Sequence, residues 1–317
     1  MKLVKYVFTL LFLLVFPSVG FSMPIQPQHL LKLSTSSEVI VFGKVQSIEK
    51  LPKKEDSLST SKATINVFSV LKGEIASQQI YVYFSPSLIC PEPPQYKKGE
   101  TVLAFLKSDK QDFPDGYITA GLSYGTKALP PEDLVIYKER IQEILEINKE
   151  ENKTLKDKQI IEWLVRCIEH PATFWEGAYG LFDKKSFTFK IIQRPGKKAE
   201  FLEDSLLDML NSEQRIRVKN ALFSSPTIDA GQLILVQMLK TDDDIRFLPF
   251  VMEHLKKSLD NPSYDLDKLM LIVGERKNNK QAIALAKDYS NISTDEEKKS
   301  LIERKKLLTS FLALVEK

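Results

Sequence analysis

Cys167 and His170 stand one helical turn apart, with Glu169 between them. That spacing suits a nucleophile and its base, or two ligands of one metal ion. The surroundings favour structure over chemistry. Cys167 continues an apolar stripe with Leu164 and Ile168, which predicts burial. His170 precedes Pro171, where a helix must end, and a histidine there can cap carbonyls and complement the dipole. The chain holds only two cysteines and three histidines in 317 residues. His29 falls in the N-terminal tail and His254 on a helix face beside Glu253, so no set of three or four zinc ligands converges in sequence. Neither a metal nor another cofactor is expected.

Gly121-Leu-Ser123-Tyr-Gly125 matches the G-x-S-x-G pattern of hydrolases. A nucleophile elbow needs a strand before the serine and a helix after it. Thr126 to Pro131 does not read as a helix, so two glycines in a turn is the expectation. Trp163, Phe174, Trp175 and Tyr179 make the densest aromatic cluster. They read as a packed helix junction or as a binding groove.

Hydrophobic residues make up 43% of the chain and charged residues 27%, which suits a globular chain with a buried core. Met1 to Ser22 has the form of a secretory signal: Lys2 and Lys5, then the apolar run Val7 to Phe16, then Pro17, Gly20 and Ser22. The run is too short to span a bilayer, and no later segment is long and apolar enough to do so. A secreted or periplasmic location follows as the expectation. Loss of residues 1–22 takes two lysines from a net charge of +3 and leaves the chain close to neutral. A near-neutral chain carries no electrostatic footprint for nucleic acid. In an oxidising compartment Cys90 and Cys167 either bridge or remain two buried thiols.

Two halves must position these residues. Residues 37–128 alternate with period two. Strands are predicted at Glu38–Val45, Thr64–Leu71, Gln79–Phe84, Thr101–Leu106 and Tyr117–Ala120, with Gly43 at a bulge or close approach. Short strands without intervening helices predict a small antiparallel barrel or sandwich. A helix opens at Pro131, and the charged run Lys149–Lys158 marks a boundary. Beyond it the period becomes 3.6, with helices at 212–223, 229–240, 242–259, 264–273, 280–289 and 294–316. Ser212 is the expected N-cap of the first of these, and Asp242–Asp244 the expected start of the third. Stacked helical hairpins or a small irregular bundle fit that spacing.

The order Glu38-Val-Ile-Val-Phe-Gly-Lys-Val45, Val70-Leu-Lys-Gly73, Ser87-Leu-Ile-Cys90 and Gly99-Glu-Thr-Val-Leu-Ala-Phe-Leu106 resembles the netrin-like module. That module forms the inhibitory domain of tissue inhibitors of metalloproteinases. The resemblance implies a five-stranded OB-type barrel whose role is binding. In those inhibitors an N-terminal cysteine chelates the protease zinc and is held by a disulfide to a Ser-Leu-x-Cys loop. Ser87, Leu88 and Cys90 match the loop. Met23, Pro24 and the tail to Ser37 contain no cysteine. The segments Trp163-Leu-Val-Arg-Cys167 and Glu176-Gly-Ala-Tyr179 resemble helical, some HEAT-like, extensions behind such barrels in bacterial secreted proteins.

The expectation is an α+β multidomain chain. A signal at 1–22 precedes a five-stranded antiparallel OB-type barrel at 24–130, a connecting helix at 131–149 and an all-α helical-hairpin domain at 150–317. The expected function is non-enzymatic recognition of a protein or cell-envelope ligand. Candidate contacts are Ser87, Leu88, Cys90, Met23 and Pro24 around the barrel, and Phe174, Trp175 and Tyr179 in the helical half. The alternatives are inhibition of a secreted metalloprotease through the N-terminal edge and the Ser87–Cys90 loop, and an enzyme built on Cys167 and His170.

Overall fold

A computed structural model describes residues 27–52, 59–87, 92–182, 206–263, 265–292 and 297–316. The expected signal segment, Met23, Pro24, Leu88 and Cys90 lie outside the described residues. The chain forms two compact units. One comprises the barrel residues 36–129, and the other joins residues 29–35 to residues 130–317.

The barrel is built from β1 (Val39–Lys50), β2 (Ser61–Lys72), β3 (Gln79–Phe84), β4 (Thr101–Ser108) and β5 (Tyr117–Thr119). The pairings run β1-β2-β3-β5-β4, and β1 pairs with β4 to close the ring. Every pairing in the ring is antiparallel except β3–β5, which is parallel. The expected all-antiparallel barrel is corrected on this point, and the reason is parity. Directions cannot alternate around a ring with an odd number of strands, so one neighbouring pair must run the same way. A short β6 (Thr126–Ala128) pairs with β4 outside the ring.

Alternation puts Val41, Val45, Ile65, Val82, Val102 and Leu106 into the barrel core. β1 serves two partners, which requires it to bend. Register irregularities at Ile40/Val41, Phe42/Gly43 and Val45/Ser47 supply the bend. Gly43 marks the close approach expected of it: a Cβ there would lie 2.5 Å from the carbonyl oxygen of Asn66. Tyr96 reaches the core from the loop before β4, with its ring edge-on to Phe84 and its hydroxyl 2.7 Å from Thr119 Oγ1.

The helical unit begins with α1 (Leu30–Ser36), a helix in a segment read from sequence as a tail. It resumes with α2 (Pro131–Ile147), α3 (Lys153–Ile168) and, after a 3-10 turn at Pro171–Thr173, α4 (Phe174–Phe182). Then come α5 (Ser212–Phe223), α6 (Ala230–Met238), α7 (Phe247–Lys257), α8 (Leu266–Arg276), α9 (Lys280–Ser290) and α10 (Glu297–Val315). α2 packs on α3 as part of this unit, with Trp163 Nε1 donating to the Arg140 carbonyl at 2.8 Å. α3 packs on α4 and α5, α4 on α6, and α8 on α7 and α9.

Helix starts follow capping chemistry. Asn152 caps α3, Asn279 caps α9, and Asp229 with Gln232 makes a capping box on α6. The cap of α5 is Asn211 with Gln214, one residue before the expected Ser212. The Asp242–Asp244 run does not open α7. Asp242 and Asp244 accept the backbone N–H groups of Asp244 and Arg246, which makes a turn and delays the helix to Phe247. The buried stripe of α7 is Phe247, Val251 and Leu255.

Candidate functional site

The α5–α6 turn, Ser225-Pro226-Thr227-Ile228, divides two adjoining concavities of the helical unit. The larger has a volume of about 510 Å³ and lies between this turn and α7. Phe223, Ile228, Pro249 and Phe250 line it, and the Phe223 and Phe250 rings meet edge-on at 5.5 Å. Ile245 stands at its rim and is 89% exposed. The smaller, about 410 Å³, lies between the turn and the α3–α4 junction and includes Pro171, Phe174 and Ala221. Ser225 and Pro226 belong to both.

The turn between them is pinned by polar bonds. Ser225 Oγ donates to the Thr227 carbonyl at 2.9 Å and accepts from Gln232 Nε2 at 3.0 Å. His254 Nδ1 accepts from the Ile228 N–H at 3.2 Å. That bond leaves the proton of the neutral ring on Nε2. Burial, then the nearby Lys257 charge, holds His254 below its ordinary pKa. The imidazole is therefore a neutral donor at the wall of an apolar site.

Charged side chains form the rim. The Arg246 guanidinium lies 4.6 Å from the Phe223 ring centroid, donates to Asn220 Oδ1 at 2.8 Å and is paired with Asp244. Arg217 reaches Glu162 at 2.8 Å and Glu169 at 2.6 Å. Lys257 pairs with Glu253. The rim thus carries matched charges, and the walls carry aromatic rings and prolines.

The residues marked by sequence meet different fates. Ser87 is exposed in the turn after β3, while Leu88, Cys90, Met23 and Pro24 lie outside the described residues. Phe174 and Tyr179 are buried. Trp175 is half-buried and stacks on Tyr179 at 5.2 Å. Phe174 still bounds the smaller concavity.

Cys167 is a fully buried free thiol, and burial pushes its pKa well up. His170 Nδ1 accepts from the Ala172 N–H at 3.2 Å and so caps the 3-10 turn. The pair is not arranged as nucleophile and base. Ser123 sits in a 3-10 turn after Gly121 and is followed by β6, so the helix of a hydrolase elbow does not follow it. Among the described residues no group of three or more His, Cys, Asp or Glu side chains is placed to hold a metal ion. Among them, too, no helix is long and apolar enough to cross a membrane.

No family model matches the chain, and no curated protein matches it.

Sequence reading missed the groove because its wall residues come from a turn and from two helix ends. A Ser-Pro pair between two helical stretches reads only as a linker. It missed Glu176 for a different reason: a carboxylate in a helical pattern reads as surface.

Proposed function

We propose that this chain is a secreted or periplasmic, non-enzymatic binding protein that holds an extended apolar segment of a protein partner in the groove across Ser225–Pro226. The observation that carries the reading is the pair of adjoining concavities, about 510 and 410 Å³, walled by Phe223, Phe250, Pro249 and Phe174. Each lies in the size range of binding clefts. Ile245, 89% exposed beside the larger one, is the kind of apolar surface that marks an interaction site. The charged rim is mostly self-paired, so affinity comes from apolar burial and the His254 Nε2–H orients a carbonyl.

A photo-crosslinking residue at Ile245 tests this. The same residue at Ile302, exposed on α10, is the control. The expected result is a single saturable crosslink from position 245 to an apolar segment of one envelope protein, lost on Phe250→Ala. Equal, unsaturable labelling from both positions overturns the reading.

The barrel supports a second reading, metalloprotease inhibition of the netrin-like kind. Its support is the β1-β2-β3-β5-β4 ring and the exposed Ser87 in the turn after β3. Inhibition of a panel of secreted zinc proteases, lost on changing Ser87 and Leu88, would favour it over the groove.

A further inference from the structure

We infer that His29–Thr35 is a strap held in the helical unit by the carboxylate of Glu176, and that loss of this hold undocks α1 and frees the stretch of chain that enters the barrel at Ser36. This goes beyond the groove and does not depend on it. The chain passes from the helical unit to the barrel after Thr35 and returns after Leu129. The first connection is only as secure as the docking of α1.

Glu176 is 1% exposed on α4. Its Oε2 accepts from the Leu30 N–H at 2.6 Å, and its Oε1 accepts from the Tyr137 hydroxyl at 3.3 Å. A buried carboxylate is tolerated only where donors satisfy it, and a charge-assisted bond is stronger than a neutral one. Here one donor is a first-turn amide of α1, which has no partner within its own helix. Leu30 and Leu33 are fully buried, the His29 ring lies 5.7 Å from Tyr179, and Asn148 Nδ2 reaches Thr35 Oγ1 at 3.4 Å.

Seven residues are too few to sustain a helix in water, so α1 exists because it is docked. Undocking melts it. The segment then stretches from about 1.5 Å per residue to about 3.4 Å per residue, which more than doubles its reach. Glu176 is thus a positioning residue for a tether.

Hydrogen exchange on the full chain, read by mass spectrometry, tests the strap with Glu176→Gln, which preserves volume and one carbonyl acceptor, and with Tyr137→Phe. In the wild type residues 30–36 exchange slowly. In Glu176→Gln they exchange about tenfold faster or more, while residues 39–45 and 101–106 do not change. Tyr137→Phe gives a smaller rise, because the Leu30 bond remains. Fast exchange at residues 30–36 already in the wild type, or an even rise across the whole helical unit in Glu176→Gln, overturns the inference.

Discussion

The backbone N–H of Leu30 donates to the Glu176 carboxylate at 2.6 Å across 146 positions of sequence. The whole barrel lies between the two residues in the chain. Both residues nevertheless belong to one compact unit. This relationship makes residues 29–35 part of the helical core, although they precede every strand. Glu176 also meets Tyr137, where burial and then the neighbouring carboxylate hold the Tyr137 hydroxyl in its neutral form.

Cys167 should behave as an inert thiol. Its neighbourhood disfavours the thiolate that alkylation requires. Iodoacetamide followed by peptide mapping is expected to modify Cys167 only at denaturant concentrations that unfold the helical unit. Modification in the native state would return the Cys167–His170 pair to consideration as chemistry.

Gly177 sits where α4 crosses α3. A Cβ there would lie 2.5 Å from the Leu164 carbonyl and 2.7 Å from Ile168 Cγ1. Backbone cannot yield cheaply, so Gly177→Ala should cost about 2 kcal/mol or more, as overpacking does. Gly99 is the contrast: it has open space around it and a φ of +89°. There Ala should cost about 1 kcal/mol, from backbone strain alone. Urea midpoints of the two variants check the order.

Arg276 ties successive helices together. Its guanidinium donates to the carbonyls of Leu239, Lys240 and Asp242 just beyond α6, and stacks 4.3 Å from the Phe247 ring centroid on α7. Arg276→Ala should lower stability by about 2 kcal/mol through stranded carbonyls and lost stacking. Arg276→Lys should recover less than half of that, because a point charge reproduces neither the fork nor the planar stack. Thermal melts of both variants measure it, and full recovery by lysine would count against the forked geometry.

His254 makes the larger concavity pH-sensitive. The native ring has a lowered pKa from burial first and Lys257 second. Below about pH 6.5 the unfolded state therefore binds more protons than the native state. The stabilisation is complete above that value and is lost as the pH falls through the native pKa. Protonation of Nδ1 also removes the acceptor of the Ile228 N–H. Denaturant midpoints measured between about pH 7.5 and pH 5 should fall less steeply for His254→Gln than for the wild type. Parallel slopes would remove His254 from the account.

The α+β division was legible in the sequence because periodicity is a local property. The TVLAFL run was legible as a strand, and the structure buries Val102 to Leu106 on both faces of β4. The helix over Pro131–Ile147 was legible from its proline start and acidic first turn. Burial of Cys167 followed from its stripe. By contrast, Phe174 and Tyr179 could be a groove or a core on sequence alone, because aromatic content does not distinguish them. The Asp242–Asp244 run was misread because short carboxylates bond their own backbone as readily as they begin a helix.

Sequence by itself determined most of the strand and helix segments, the bulge or close approach at Gly43 and a count of five strands. Five directions cannot alternate in a closed ring, but only the structure decided that the ring closes and that β3–β5 is its parallel pair. Only the tertiary structure decided that residues 29–35 leave the barrel for the helical unit, that Glu176 is interior, and that Pro226 separates two concavities. The physical reason is range. Periods of two and 3.6 act between neighbours in the chain. A buried carboxylate is satisfied by a donor 146 positions away, and no local pattern records that partner.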